Sequence, residues 1–181
     1  MKNLLLLLLF SLDCTTNSFS IVTPKPDVSQ IRKQMLRAIN NSKVTDSLYN
    51  NLKITSKKTP LITAYFGALE ALKAKDSWNP YNKVKFLNRS NTTVNQAVNS
   101  SPNDFEIRFI RFSIQLNLPK FLGLSKDLQA DKNQILQQLK QKHYGSADKL
   151  FVQNIIKFMV DSKQCTAQEI AFLHEQSAQL K

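Results

Sequence analysis

Arg108, Arg111 and Gln115 follow one another at separations of three and four residues, so a helix through them lays all three on one stripe. Arginine is scarce in this chain, five copies against twenty lysines, and two of the five lie on that stripe. A guanidinium is planar and always charged, and it meets a carboxylate or phosphate with two parallel hydrogen bonds. Two chemistries follow: an internal ion pair that fixes helix register, or an arginine pair that holds an anionic ligand in a cleft. The first is the expectation, because an inward acid is at hand. On the stripe Leu128, Ile135, Leu139, the slot at 131 is taken by Asp131, and an unpaired buried carboxylate costs several kcal/mol. Arg108 or Arg111 is its expected partner. Asp104 and Glu106 carry less meaning, since acids in a first helical turn are favoured by the helix dipole.

Few other reactive groups are available. The glycines Gly67, Gly123 and Gly145 stand where no GxGxxG, P-loop or GxSxG motif can be written. His143 and His174 form no HxxxH, and no CxxC occurs, so neither a metal nor another cofactor is expected. His143 sits in a basic helix end, and His174, beside Ile170 and Ala171, reads as a half-buried histidine with its bonds satisfied. Paired carboxylates for glycoside hydrolysis need two acids in one cleft. Glu70 and Asp131 are the acids worth following. No strained nucleophile turn is visible, so an enzyme is not expected.

The elements that would position these residues are helices. The chain has 181 residues, 42% of them hydrophobic, with three glycines and six prolines, too little turn chemistry for a many-stranded sandwich or barrel. Start signals recur: a capping box at Asp27-Val28-Ser29-Gln30, a cap before a first-turn proline at Thr59-Pro60, Asn79-Pro80 and Ser101-Pro102, and a second box at Thr166-Ala167-Gln168-Glu169. Gly123 and Gly145 are placed as helix stops. The spacing predicts an all-α, single-domain array of seven or eight antiparallel helices, a helical hairpin stack, near 28–40, 45–54, 60–74, 80–99, 102–117, 125–141, 147–162 and 166–179. In the helix at 60–74, Ala64, Gly67, Ala68 and Ala71 allow a close neighbour, and Leu61, Tyr65, Leu69 and Leu72 supply bulk beside them. The helix at 102–117 is apolar on two sides: Phe105, Phe109, Phe112 and Leu116 fall in one sector, and Ile107, Ile110 and Ile114 in another. It should lie at the centre, mostly buried. The following loop, 117–123, carries Leu118, Phe121 and Leu122 and should fold back on the core.

Two resemblances attach to these residues. The segment Ala97 to Pro102 resembles the junction between consecutive tetratricopeptide repeats, with no second copy at the repeat interval. The stretch from Glu106 to Gln115, with Leu118 to Gly123, Asp131-Lys132 and, upstream, Tyr65, Gly67, Ala68, Leu72, Asn79 and Pro80, resembles a family of small exported helical proteins of the Bacteroidota. The resemblance spans about residues 60–140. It implies an exported bacterial protein and brings no activity or catalytic residue with it.

The first residues agree with export. Lys2, an apolar run from Leu4 to Leu12 and small residues at Ser18 and Ser20 make a signal peptide over 1–20, cleaved after Ser20. The apolar run is nine residues, short of the about 20 that a membrane-spanning helix needs. Lipid attachment through Cys14 is not expected, because Asp13 precedes it. Residues 21–26 read as an extended lead and 27–181 as the helical domain. After cleavage only Cys165 remains, so no intrachain disulfide is expected, and no membrane span is expected in the mature chain.

The formal net charge is +12, and half of the excess lies between Lys53 and Arg89, where eight basic residues face only Glu70 and Asp76. These eight, Lys53, Lys57, Lys58, Lys73, Lys75, Lys83, Lys85 and Arg89, fall mostly in the loops flanking the helix at 60–74, with Trp78 and Tyr81 among them, and read as one basic end of the stack. An exported chain would meet an anionic envelope component or an acidic protein with such a surface. Nucleic acid is not an expected partner, since no nucleic-acid-binding module is present. The expectation is therefore a periplasmic or extracellular, non-enzymatic binding or scaffolding module of the cell envelope. Its candidate contacts are Arg108, Arg111, Gln115, Asp131, Lys73, Lys75, Trp78, Lys83 and Lys85. Alternatives are a hydrolase of an envelope polysaccharide or other anionic substrate, which needs a concave site joining Glu70 or Asp131 to a second polar group, and a purely structural envelope protein. A binding module should show a groove lined by the lysines and Trp78.

Overall fold

In the computed structural model, residues 27–180 are described, and the expected signal peptide and extended lead lie outside them. Among the described residues there are eight α-helices and no strand: α1 Val28–Ala38, α2 Ser42–Lys53, α3 Pro60–Asp76, α4 Pro80–Ser100, α5 Phe105–Leu116, α6 Leu128–Gln141, α7 Lys149–Asp161 and α8 Ala167–Gln179, with a 3-10 turn at Lys120–Leu122. The all-α helical stack is the architecture.

Local chemistry explains most helix starts. Asp27, Thr59, Asn79 and Asp148 each accept a backbone N–H of the first turn, and Thr166 and Glu169 close a reciprocal capping box, with 2.7 Å from the Thr166 N–H to Glu169 Oε2. Three helix starts lie three residues from expectation, and the other boundaries within two. The second helix begins at Ser42, because Asn41 caps it. The fifth begins at Phe105, because Asp104 accepts the N–H groups of Glu106 and Ile107 at 3.0 Å and leaves Pro102 in the preceding turn. The sixth begins at Leu128. Neither glycine stops a helix directly: Gly123 (φ +64) follows the 3-10 turn, and Lys142, itself left-handed at φ 56, ends α6 before Gly145 is reached.

The helices pack in sequence, with α3 against α4 as the most extensive pairing. Gly67 makes this approach possible, since a Cβ there would stand 2.4 Å from Val94 Cγ2 and 3.2 Å from the Val94 backbone nitrogen. The expected close neighbour of the small-residue side is thus α4. Two hydrophobic cores result. One gathers α1, α2, α3, the second half of α4, and Ile107, Ile110 and Ile114 of α5. The other gathers Phe105, Phe109, Phe112 and Leu116 with α6, α7 and α8. The two apolar sectors of α5 therefore serve one core each, and this helix is the shared wall of the molecule. The loop after it departs from expectation: Phe121 is 86% exposed, while Leu118 and Leu122 are half-buried.

Candidate functional site

The arginine stripe of α5 faces α6 and is consumed there. Asp131, with no exposure, receives Arg111 Nε on Oδ2 at 2.7 Å and both Arg111 Nη2 and Arg108 Nη1 on Oδ1 at 2.8 Å. Both expected partners are used, and each is held further. Arg108 Nε donates to the Pro102 carbonyl at 2.6 Å, and Arg111 Nη1 donates to Asn95 Oδ1 of α4 at 2.8 Å. Burial works against the charged form of Arg111, and the bonds to Asp131 more than offset it, so its pKa is raised. Gln115 fastens the start of α6: its Oε1 accepts the Asp127 N–H at 3.1 Å and its Nε2 donates to Asp127 Oδ2 at 3.3 Å. The narrow hollow beside Arg111 and Gln115 is walled mostly by apolar side chains, Leu87, Val94, Leu118 and Leu124 among them, with Ser90 and Asn91 as its other polar residues.

A second buried cluster was not legible as a site. Glu106 is 2% exposed and accepts Arg32 Nε at 2.8 Å, Arg32 Nη2 at 2.5 Å and the Tyr65 hydroxyl. Arg32 also donates to Ser146 Oγ at 2.9 Å and lies over the Phe151 ring. The cluster joins α1, α3 and α5 to the loop before α7. The hydrogen bonds to Glu106 raise the Arg32 pKa, while burial, reinforced by the Glu106 charge, raises that of Tyr65. The dipole argument had already accounted for an acid at Glu106, so nothing in the sequence marked it.

Glu70 is buried on α3, where Thr93 Oγ1 donates to it at 2.7 Å, and burial raises its carboxyl above the usual range. Thr93 is a hydrogen-bond donor rather than a second ionisable group, and Asp131 is engaged by Arg108 and Arg111. The concave site a hydrolase needs is not assembled from these acids. His174 is exposed on α8, which corrects the half-buried placement: Leu173 and Gln176 are its inward residues. Among the described residues no group of three or more His, Cys, Asp or Glu side chains could hold a metal ion.

The basic segment does not form one end. Lys53, Lys57 and Lys58 lie at the start of α3 or before it, and Lys73 and Lys75 at its far end, about 25 Å away for a helix of 17 residues. Several cations are also engaged along the way. Lys58 lies over Phe66, Lys73 over Tyr49 and Phe86, and Arg89 over Phe86, while Tyr49 stacks on Phe66 with centroids 4.9 Å apart. Lys73 is additionally paired with Asp46. Lys53 and Lys57 stay open to solvent beside Ile54 before α3, and so do the turn between α3 and α4 and the first turns of α4, where Trp78 is 93% exposed, Tyr81 74% and Val84 48%, with Lys75, Lys83 and Lys85 exposed as well. This is a projecting tip and not the expected groove. The Lys75 ammonium donates to the Ile39 carbonyl at 2.6 Å, which brings the α1–α2 turn to the same end.

No family model matches this chain, and no curated protein and no solved structure is similar to it.

Proposed function

We propose that this protein is a non-enzymatic binding module that meets an anionic component of the bacterial cell envelope through the α3–α4 end. One observation carries the reading: Lys75, Lys83 and Lys85 are exposed on the two helices that flank a solvent-exposed tryptophan, whereas Glu106 and Asp131, two of the three acids buried among the described residues, are each matched by arginines. Buried ion pairs spend their charge on the fold, and exposed lysines keep theirs for a partner. Between Lys73 and Arg89 the only acid is Asp76, so the local field is positive. Cleavage after Ser20 would remove one basic and one acidic side chain and leave the net charge of +12 unchanged.

Retention of the protein on isolated envelope fractions at low ionic strength, with elution as salt rises, is the expected result. Exposed charges act over a Debye length of about 10 Å at 0.1 M salt, so contact through them must weaken as that length shrinks. Failure to bind the fractions, or retention indifferent to salt, removes the proposal.

A further inference from the structure

The α3–α4 tip combines two chemistries that a bilayer surface meets together. Trp78 occupies the three-residue turn Ser77 to Asn79, and Tyr81 and Val84 continue its exposed apolar surface along the first turns of α4. Ile39, 45% exposed, stands at the same end. Large apolar side chains left together in water mark a contact surface. Trp and Tyr place an apolar body and a polar tip at the headgroup level of a membrane, and Val and Ile can enter only the hydrocarbon beneath it. Lys75, whose ammonium also donates to the Ile39 carbonyl, and Lys83 and Lys85 of α4 are exposed at this end with exposed Asp76, and long aliphatic stems let lysine ammonium groups reach the phosphate level.

Shape decides between kinds of anionic partner. A polysaccharide chain or an acidic peptide is gripped in a groove, where hydrogen-bonding groups face it from two sides. Trp78 stands on a convex tip with 93% of its surface free. A convex, partly aliphatic tip with exposed lysines fits a soft planar surface of opposite charge. No helix among the described residues is long and apolar enough to cross a membrane, so the contact would be interfacial.

We infer that the α3–α4 tip docks on an anionic phospholipid bilayer, with Trp78 entering the interface and Lys75, Lys83 and Lys85 contacting headgroup phosphates. The inference rests on the reading above and deepens it by naming the partner. Two weak signals acting together, apolar insertion and lysine attraction, are what reversible membrane binding requires.

Trp78 is the only tryptophan in the chain, so its emission reports directly on the tip. The experiment uses residues 21–181, which contain both hydrophobic cores and lack the apolar leader, with vesicles of phosphatidylcholine alone or mixed with phosphatidylglycerol. Expected are a blue shift and quenching by lipids brominated near the interface, on the anionic vesicles only. The Lys83→Gln/Lys85→Gln variant should bind about 30-fold more weakly, since each lysine near an anionic surface contributes roughly a fivefold factor. Trp78→Ser, followed by sedimentation, should bind about tenfold more weakly while keeping its helical circular dichroism. Binding to anionic vesicles with an unshifted Trp78 spectrum overturns the tip as the docking face, and with it the α3–α4 end of the reading above, and leaves only the anionic partner standing. Retention by lipid-free envelope polysaccharide without vesicle binding overturns the bilayer as partner and also leaves that reading standing. Binding to neither defeats both.

Discussion

Asp131 and Arg111 face each other through two hydrogen bonds, Nε to Oδ2 at 2.7 Å and Nη2 to Oδ1 at 2.8 Å, with the carboxylate wholly out of solvent. Removing the acid leaves buried Arg111 with only Asn95 and the looser Asp127 carboxylate, 3.7 Å away, and deprives Arg108 of one of its partners. Asp131→Ala should cost about 3–5 kcal/mol, the usual loss when one member of a buried pair is deleted. At about 2–4 °C per kcal/mol for a chain of this size, the melting temperature should fall by roughly 6–20 °C. An unchanged melting curve would show that the arginines are stable without the acid.

Glu106 ties Arg32, 74 residues earlier, to Tyr65, and the two donors predict unequal losses. Tyr65→Phe removes one hydroxyl and leaves the ion pair intact, so urea unfolding should register about 1–2 kcal/mol. Glu106→Ala strands a guanidinium with 11% side-chain exposure as well as a buried hydroxyl, and should cost about 3–5 kcal/mol. Equal losses for the two variants would contradict this ordering.

Glu70 gives the protein a pH dependence of definite sign. Burial raises its carboxyl pKa, with the Thr93 hydrogen bond and the Arg89 charge offsetting only part of the shift. The folded protein therefore keeps this proton to higher pH than the unfolded chain, whose glutamates titrate near about 4.3. The contribution to stability is complete below that value and is lost as pH rises through the folded pKa. Glu70→Gln stays neutral and can still accept from Thr93. It should be more stable than the parent at neutral pH and indistinguishable from it at about pH 4. A parent that is the more stable at neutral pH would refute the argument.

Gly67 tests the approach of α3 to α4. Alanine is the better helix former by about 1 kcal/mol, yet its Cβ would meet a Val94 methyl at 2.4 Å, and a valine in a helix is nearly confined to one rotamer. Gly67→Ala should therefore destabilise, by about 1–2 kcal/mol net of the propensity gain. In the background of Val94→Ala the same change should be neutral or stabilising, and a double-mutant cycle measures the coupling. Additive effects would mean that the two positions do not meet.

The sequence by itself determined the helices, most of their caps and the double-sided character of α5, because these depend on local hydrogen bonding and on a period of 3.6 residues. It also determined that Asp131 points inward, since that follows from its place on an apolar stripe. Where helix starts were misplaced, the Asp104 cap stood two residues after Pro102, whose first-turn preference competed for the reading, and Asn41 stood among Asn40 and Ser42, which offer the same short polar cap. Partnership between helices was another matter. That Asp131 takes both arginines, that Glu106 collects Arg32 and Tyr65, and that Lys73 rests on two aromatic rings depends on how helices cross and how far apart they lie. Periodicity encodes which face a residue occupies, and only the assembled tertiary structure sets what lies opposite. The same holds for Trp78: its turn was visible in Asn79-Pro80, but its exposure followed from α1, α2 and α5 leaving that tip uncovered.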